Sequence, residues 1–152
     1  MRKTMLLALA VLAACSEEPK QLYVDNAWVR LGATREIPGA AYFTIHGGPA
    51  DARLVDVTSP VVIRTELHES MTSGPSTRPG QAMASMKPIE GPIPVPANST
   101  VEFRPGGKHV MLYNVNPGIV PPKTLPMNLT FADGTKLIVE AKVYRAGDPL
   151  PK

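Results

Sequence analysis

Residues 128–144, Asn128-Leu129-Thr130-Phe131-Ala132-Asp133-Gly134-Thr135-Lys136-Leu137-Ile138-Val139-Glu140-Ala141-Lys142-Val143-Tyr144, decide the fold class. Two β-rich runs flank Asp133-Gly134. An Asp-Gly pair in that setting is the strongest short-range hairpin signal, because glycine takes the positive φ of the reversal at no steric cost. The stretch predicts strands over 128–131 and 136–144. Working back along the chain, short apolar or alternating runs bounded by Gly, Pro, Asn and Asp predict further strands over 22–31, 40–46, 53–57, 63–69, 83–89, 100–104 and 109–115. No segment has the length and period of an amphipathic helix, and the 17 prolines argue against long helices. The chain therefore reads as a single all-β domain, a sandwich or barrel.

Two segments interrupt the strands. Pro92, Pro94 and Pro96 lack the amide donors that a central strand requires, so their stretch is a connector or an edge. Residues 72–81 (TSGPSTRPGQ) have the composition of an irregular loop.

The N-terminus follows different logic. Arg2 and Lys3 precede an apolar run over 5–14 that is too short to span a bilayer and ends in small residues before Cys15. Residues 1–14 read as an export signal, residues 15–21 as an anchor and polar tether, residues 22–145 as the folded domain and residues 146–152 as a tail. Leu12-Ala13-Ala14-Cys15 resembles the lipobox of bacterial lipoproteins, which implies cleavage before Cys15 and lipid on its sulfur. The expected location is the periplasm, membrane-anchored, and Ser16 after Cys15 points toward the outer membrane of a Gram-negative host.

The charge balance excludes one class of partner. Lys and Arg number 16 against 13 Asp and Glu, and two of those cations lie in the leader, so the domain itself is nearly neutral. No basic run interleaved with aromatics is present, which argues against nucleic-acid binding. Nor is there a nucleophile with a plausible base, a motif of paired carboxylates or a phosphate-binding glycine loop, so the domain reads as a non-enzyme.

Cys15 is the only cysteine, which excludes an intrachain disulfide, a CxxC redox pair, a thiolate zinc site and a blue-copper centre. What the domain offers instead is histidine and methionine: His68 and Met71, then Met83 and Met86, then His109 and Met111. Residues two apart on a strand project to one face, so His109 and Met111 can aim an imidazole and a thioether at one point after the Pro105-Gly106-Gly107 turn. His68 and Met71 are three apart and share a face only if their strand ends near Glu69. Parity does not choose between Met83 and Met86. Thioether sulfur is a soft, neutral donor suited to Cu(I), and unlike a thiol it forms no disulfide in an oxidising compartment. His46, alone in an apolar strand, and Met127 read as structural residues.

These residues are where the sequence resembles a known family. Glu66-Leu67-His68-Glu69, Met86-Lys87-Pro88 and Pro105-Gly106-Gly107-Lys108-His109-Val110-Met111-Leu112, with the flanking runs 40–45 and 129–134, are similar to the periplasmic copper chaperones of the PCuA(C) type. The resemblance implies a cupredoxin-like Greek-key β-sandwich in which His68, Met86, His109 and Met111 bind Cu(I), with Met71 or Met83 as an additional donor. It further implies transfer of copper to an acceptor, such as a respiratory oxidase subunit or another copper chaperone. Fourteen residues separate Met71 from Met86 and twenty-two separate Met86 from His109, both longer than the family's usual spacing, which weakens the match at Met71. Two other functions fit the same residues: a copper-sequestering resistance protein, and a lipid-anchored scaffolding module with an incidental Met cluster.

The leader reading carries its own test. Replacing Cys15→Ala should abolish incorporation of a labelled fatty acid and release the protein from the membrane fraction or leave it as uncleaved precursor. Equal labelling of the variant and the parent chain would refute lipidation at Cys15.

Overall fold

The computed structural model describes residues 20–72 and 84–151. Every regular element among them is a strand: β1 (Tyr23–Arg30), β2 (Gly39–His46), β3 (Ala52–Thr58), β4 (Val62–Thr72), β5 (Ala84–Pro88), β6 (Ile93–Val95), β7 (Thr100–Phe103), β8 (Lys108–Val115), β9 (Thr124–Phe131) and β10 (Lys136–Tyr144). Hydrogen bonds join all ten into one sheet in the order β5-β4-β8-β7-β2-β1-β10-β9-β3-β6, with β8 also pairing β2 beyond the end of β7. The sheet folds over on itself. β3 meets β4, and the Thr65 hydroxyl donates to the Val57 carbonyl across that junction.

Period-two burial builds the core. Along β2, Ala41, Phe43 and Ile45 are buried, and along β9 the same holds for Leu125, Met127, Leu129 and Phe131. Val29, Leu54, Val57, Val110, Leu112, Ala141 and Val143 join them in the same core, and Phe103 stacks on Phe43 at 4.3 Å between ring centroids. Met127 fills core space, as its isolation in the sequence suggests.

The 128–144 hairpin forms with a turn slightly longer than a two-residue loop. The Gly134 amide donates to the Phe131 carbonyl, only the glycine of the pair takes a positive φ (88°), and the Phe131 amide donates to Thr135. This is a type I turn closed by a left-handed glycine. The Asp133 carboxylate accepts from the Thr135 amide and hydroxyl, both at 2.9 Å, and those bonds hold its pKa below the ordinary range.

The proline stretch takes the edge position expected of it: it contributes β6, which among the described residues pairs with β3 alone. One departure from the sequence pattern matters. β9 starts earlier than the pattern implies and runs through Pro126, which sits opposite Glu140 but beyond the last β3 partner, Asn128.

β1 holds a bulge that matters for the site. Between Asp25 and Trp28 the strand carries one more residue than β2, and Asn26 absorbs it with φ 51°. The extra residue reverses the parity, so Val29 enters the core while Trp28 pairs with Tyr42 on the outer face.

A core truncation tests this packing. Leu129→Ala removes a fully buried side chain and should cost about 2–5 kcal/mol. In urea or guanidinium unfolding the midpoint should fall while the m-value stays constant; an unchanged midpoint would contradict the assigned core.

Candidate metal centre

The site lies on the outer face of three neighbouring strands, β5, β4 and β8. β4 and β8 run antiparallel with His68 directly opposite His109 and Glu66 opposite Met111; on the other side of β4, β5 sets Pro88 opposite His68 and Met86 opposite Ser70. Directly paired residues in adjacent strands share a face. His68, His109, Met111 and Met86 therefore all project to one side, the two histidines side by side and the two methionines displaced two residues in opposite directions along the sheet. Leu67 and Val110 form the pair on the inner side, where Val110 is fully buried.

The imidazoles are 6.0 Å apart between ring centroids, tilted by 47°. A metal bonded at about 2 Å to a ring nitrogen lies roughly 3 Å from that ring's centroid, so this spacing suits one ion shared by both rings. Both side chains are well buried: His109 is 3% exposed and the His68 side chain 12%.

Each ring uses one nitrogen internally and leaves the other free. The Nδ1 of His109 lies 2.9 Å from the Gly107 carbonyl, which can only accept, so Nδ1 carries the proton. Its Nε2 is buried with no hydrogen-bond partner among the described residues. On His68 the roles are reversed: Nε2 lies 3.0 Å from Glu66 Oε2, and Nδ1 is buried and unpartnered. A buried acceptor without a partner costs about 1–3 kcal/mol, a cost that a Lewis acid bound by the two lone pairs would offset.

Local sequence explains this arrangement. Pro105 and Gly106 occupy the middle of a turn closed by the Gly107 amide on the Arg104 carbonyl at 3.0 Å; Gly106 has φ 79°, as a type II turn requires. The turn aims the Gly107 carbonyl back at the Ser70 amide (3.1 Å) as well as at His109. On β4, Glu66 is two residues before His68 and so shares its face. Its carboxylate is held by the Arg64 guanidinium at 2.8 Å and the Tyr113 hydroxyl at 3.1 Å as well as by His68. The hydrogen bond from His68, then, against burial, the bond from Tyr113 and the charge of Arg64, keep the Glu66 carboxyl below the ordinary range; burial, with the Glu66 bond behind it, raises the Tyr113 phenol.

Tyr42 walls the β2 side of the site, with its ring centroid 6.4 Å from His109 and Trp28 packed behind it at 4.3 Å. Desolvation raises the Tyr42 phenol, a shift opposed by Arg30. The β5 side is open, and Met86 there is 56% exposed.

The other candidates fall elsewhere. β4 continues as far as Thr72, past Glu69, so Met71 lies opposite Ser85 on the face away from His68. It is 48% exposed. Met83 and Cys15 lie outside the described residues. His46 bonds Asp25 at 3.0 Å and stacks on Tyr23, and these contacts account for it structurally. Glu66, Tyr113 and Tyr42 were not among the sequence candidates. Glu66-x-His68 has the same period-two spacing as His109-x-Met111 and was legible by that rule. Among the described residues no cluster of three or more His, Cys, Asp and Glu side chains is set up to hold a metal.

Comparison with known proteins places the fold. Residues 22–143 match the family described as "Putative lipoprotein LpqE-like". A protein of Leifsonia xyli subsp. xyli named "Putative lipoprotein Lxx21020" is 26% identical over 113 residues, 74% of this chain and 63% of that protein. The chain spans only 54–63% of the length of the curated relatives it matches. Among solved structures, the apo PCuAC domain from PmoF1 superposes with a TM-score of 0.64 at 21% identity, covering 84% of this chain and 97% of that one. The Cu(I) form of DR1885 from Deinococcus radiodurans gives 0.56 at 26% identity, covering 82% and 80%. The chain thus belongs to the LpqE-like family and has the cupredoxin-like fold of a PCuAC domain.

Proposed function

We propose that the domain is a non-enzymatic Cu(I) carrier outside the cytoplasm, with His68, Met86, His109 and Met111 as ligands. The observation that carries this reading is the pair of facing, buried imidazoles, each with one nitrogen pinned and the other bare, on a face shared with two thioethers. Neutral nitrogen and soft sulfur donors suit a monovalent soft ion better than a harder divalent one. The copper bound by solved PCuAC relatives supports the same choice of metal.

Delivery fits the geometry better than closed storage. A carrier passes its ion by ligand exchange, and that requires one ligand within reach of an incoming donor. Met86, exposed on an edge strand, meets that need while the imidazoles stay buried. The acceptor in this reading is a copper-binding protein such as a respiratory oxidase subunit or a second chaperone. Lipid on Cys15, supported by the lipoprotein family match, would keep the domain close to a membrane. The seven residue-to-residue steps from Cys15 to Leu22 extend at most about 25 Å. Placement in the outer membrane belongs to the same proposal and rests on Ser16.

Cu(I) titration against a competing chelator tests the site. One equivalent should bind, and His109→Ala with Met111→Ala, or Met86→Leu alone, should weaken it by more than about tenfold, roughly 1.4 kcal/mol. Met71→Leu and His46→Gln should bind as the parent does. Failure of the parent chain to bind, or a double variant with parental affinity, would sink the proposal. A deletion strain separates destinations: lost oxidase activity at low copper supports delivery, whereas copper sensitivity with normal oxidase would assign the protein to sequestration.

A further inference from the structure

We infer that Glu66 is a positioning residue that fixes the tautomer of His68, so that His68 presents Nδ1 to the ion while His109 presents Nε2. The inference rests on the copper-carrier reading and goes beyond it, because it names which nitrogen of each histidine binds and what makes it available.

The two histidines face each other across a ladder yet are held differently. His109 receives its acceptor from the turn that leads into its own strand, the carbonyl of Gly107 two residues earlier. Among the described residues no backbone carbonyl is bonded to the His68 ring; its Nε2 meets the Glu66 carboxylate. A carboxylate accepts and does not donate, so Nε2 keeps its proton and the lone pair is confined to Nδ1. That atom is buried and without a partner. The alternative tautomer would set a bare nitrogen against a carboxylate and leave a buried N–H unsatisfied, which disfavours it twice over.

Glu66 is itself immobilised. Oε2 is shared by His68 and the Tyr113 hydroxyl, Oε1 takes the Arg64 guanidinium, and Arg64 lies over the Tyr113 ring at 4.0 Å from its centroid. A surface Arg–Glu pair alone contributes little to stability. Three side chains converging on one carboxylate, one of them the candidate ligand His68, make more sense as a device for orienting the imidazole and strengthening it as a donor, as groups behind metal-bound histidines commonly do.

The tautomer is observable without copper. In apo protein labelled with ¹⁵N, at about pH 8 where histidine is mostly neutral, two-bond ¹H–¹⁵N correlations should show the His68 proton on Nε2 and the His109 proton on Nδ1. Glu66→Ala should convert His68 to a mixture and leave His109 unchanged; Glu66→Gln, which keeps an acceptor oxygen, should preserve the parental tautomer. Cu(I) affinity should fall by about 10- to 100-fold in Glu66→Ala and by less in Glu66→Gln. A parental His68 protonated on Nδ1, a tautomer unaffected by Glu66→Ala, or undiminished affinity in that variant would each overturn the inference. A parent chain that binds no Cu(I) would instead overturn the carrier reading, and the apo spectra would still decide the role of Glu66.

Discussion

Everything at the site depends on the register of β4 against β8. Because side chains alternate with a period of two, a slip of one residue would move His68 to the inner face and Leu67 to the outer one. Burial prevents that slip. Val110 and Leu112 are locked into the core, and Leu67 pairs with Val110 on the same side. Next along, Lys108 and Glu69 form an ion pair at 2.9 Å in the same register. The imidazoles are thus placed by the hydrophobic side of the sheet, which makes no contact with an ion.

The outer face divides into a stiff part and an adaptable part. Backbone turn geometry holds His109, and a four-membered side-chain network holds His68, so both rings are fixed before any ligand arrives. The methionines differ from them in kind, because a thioether on an unbranched chain adapts its position at little cost. They also differ from each other. Met111 is half-buried beside Ala40, whose small side chain leaves it room, whereas Met86 is exposed on β5.

Much of this was legible in the sequence for identifiable reasons. Asp133-Gly134 specified the hairpin because few backbone paths suit that pair, and alternation along 40–46 and 109–115 gave the strands and the shared face of His109 and Met111. Three features were not legible as such. Pairing partners over long sequence separations have no local signal, so His68 opposite His109 could only be expected from resemblance. The parity of Met71 depended on where β4 ends, which neighbouring strands determine. The bulge at Asn26 reverses a pattern that otherwise reads as Val24 and Trp28 on one face, and it took β2 as a reference to show Trp28 on the outside with Tyr42.

The position of β5 links the fold to exchange. As the terminal strand it pairs only with β4 among the described residues, so displacing it disturbs one ladder and leaves the core strands β2, β9 and β10 untouched. Local openings of this kind cost far less than global unfolding. A donor approaching from this side meets Met86 first, with the imidazole pair behind it and Tyr42 closing the opposite side. In the carrier reading, the ion would then gain a new ligand before losing His68 or His109, and no step would leave a bare cation in a desolvated site, where its cost would be greatest. In that reading burial of the histidines and exposure of one methionine are compatible: the first would hold the ion in a fixed donor set, and the second would give an acceptor a point of entry.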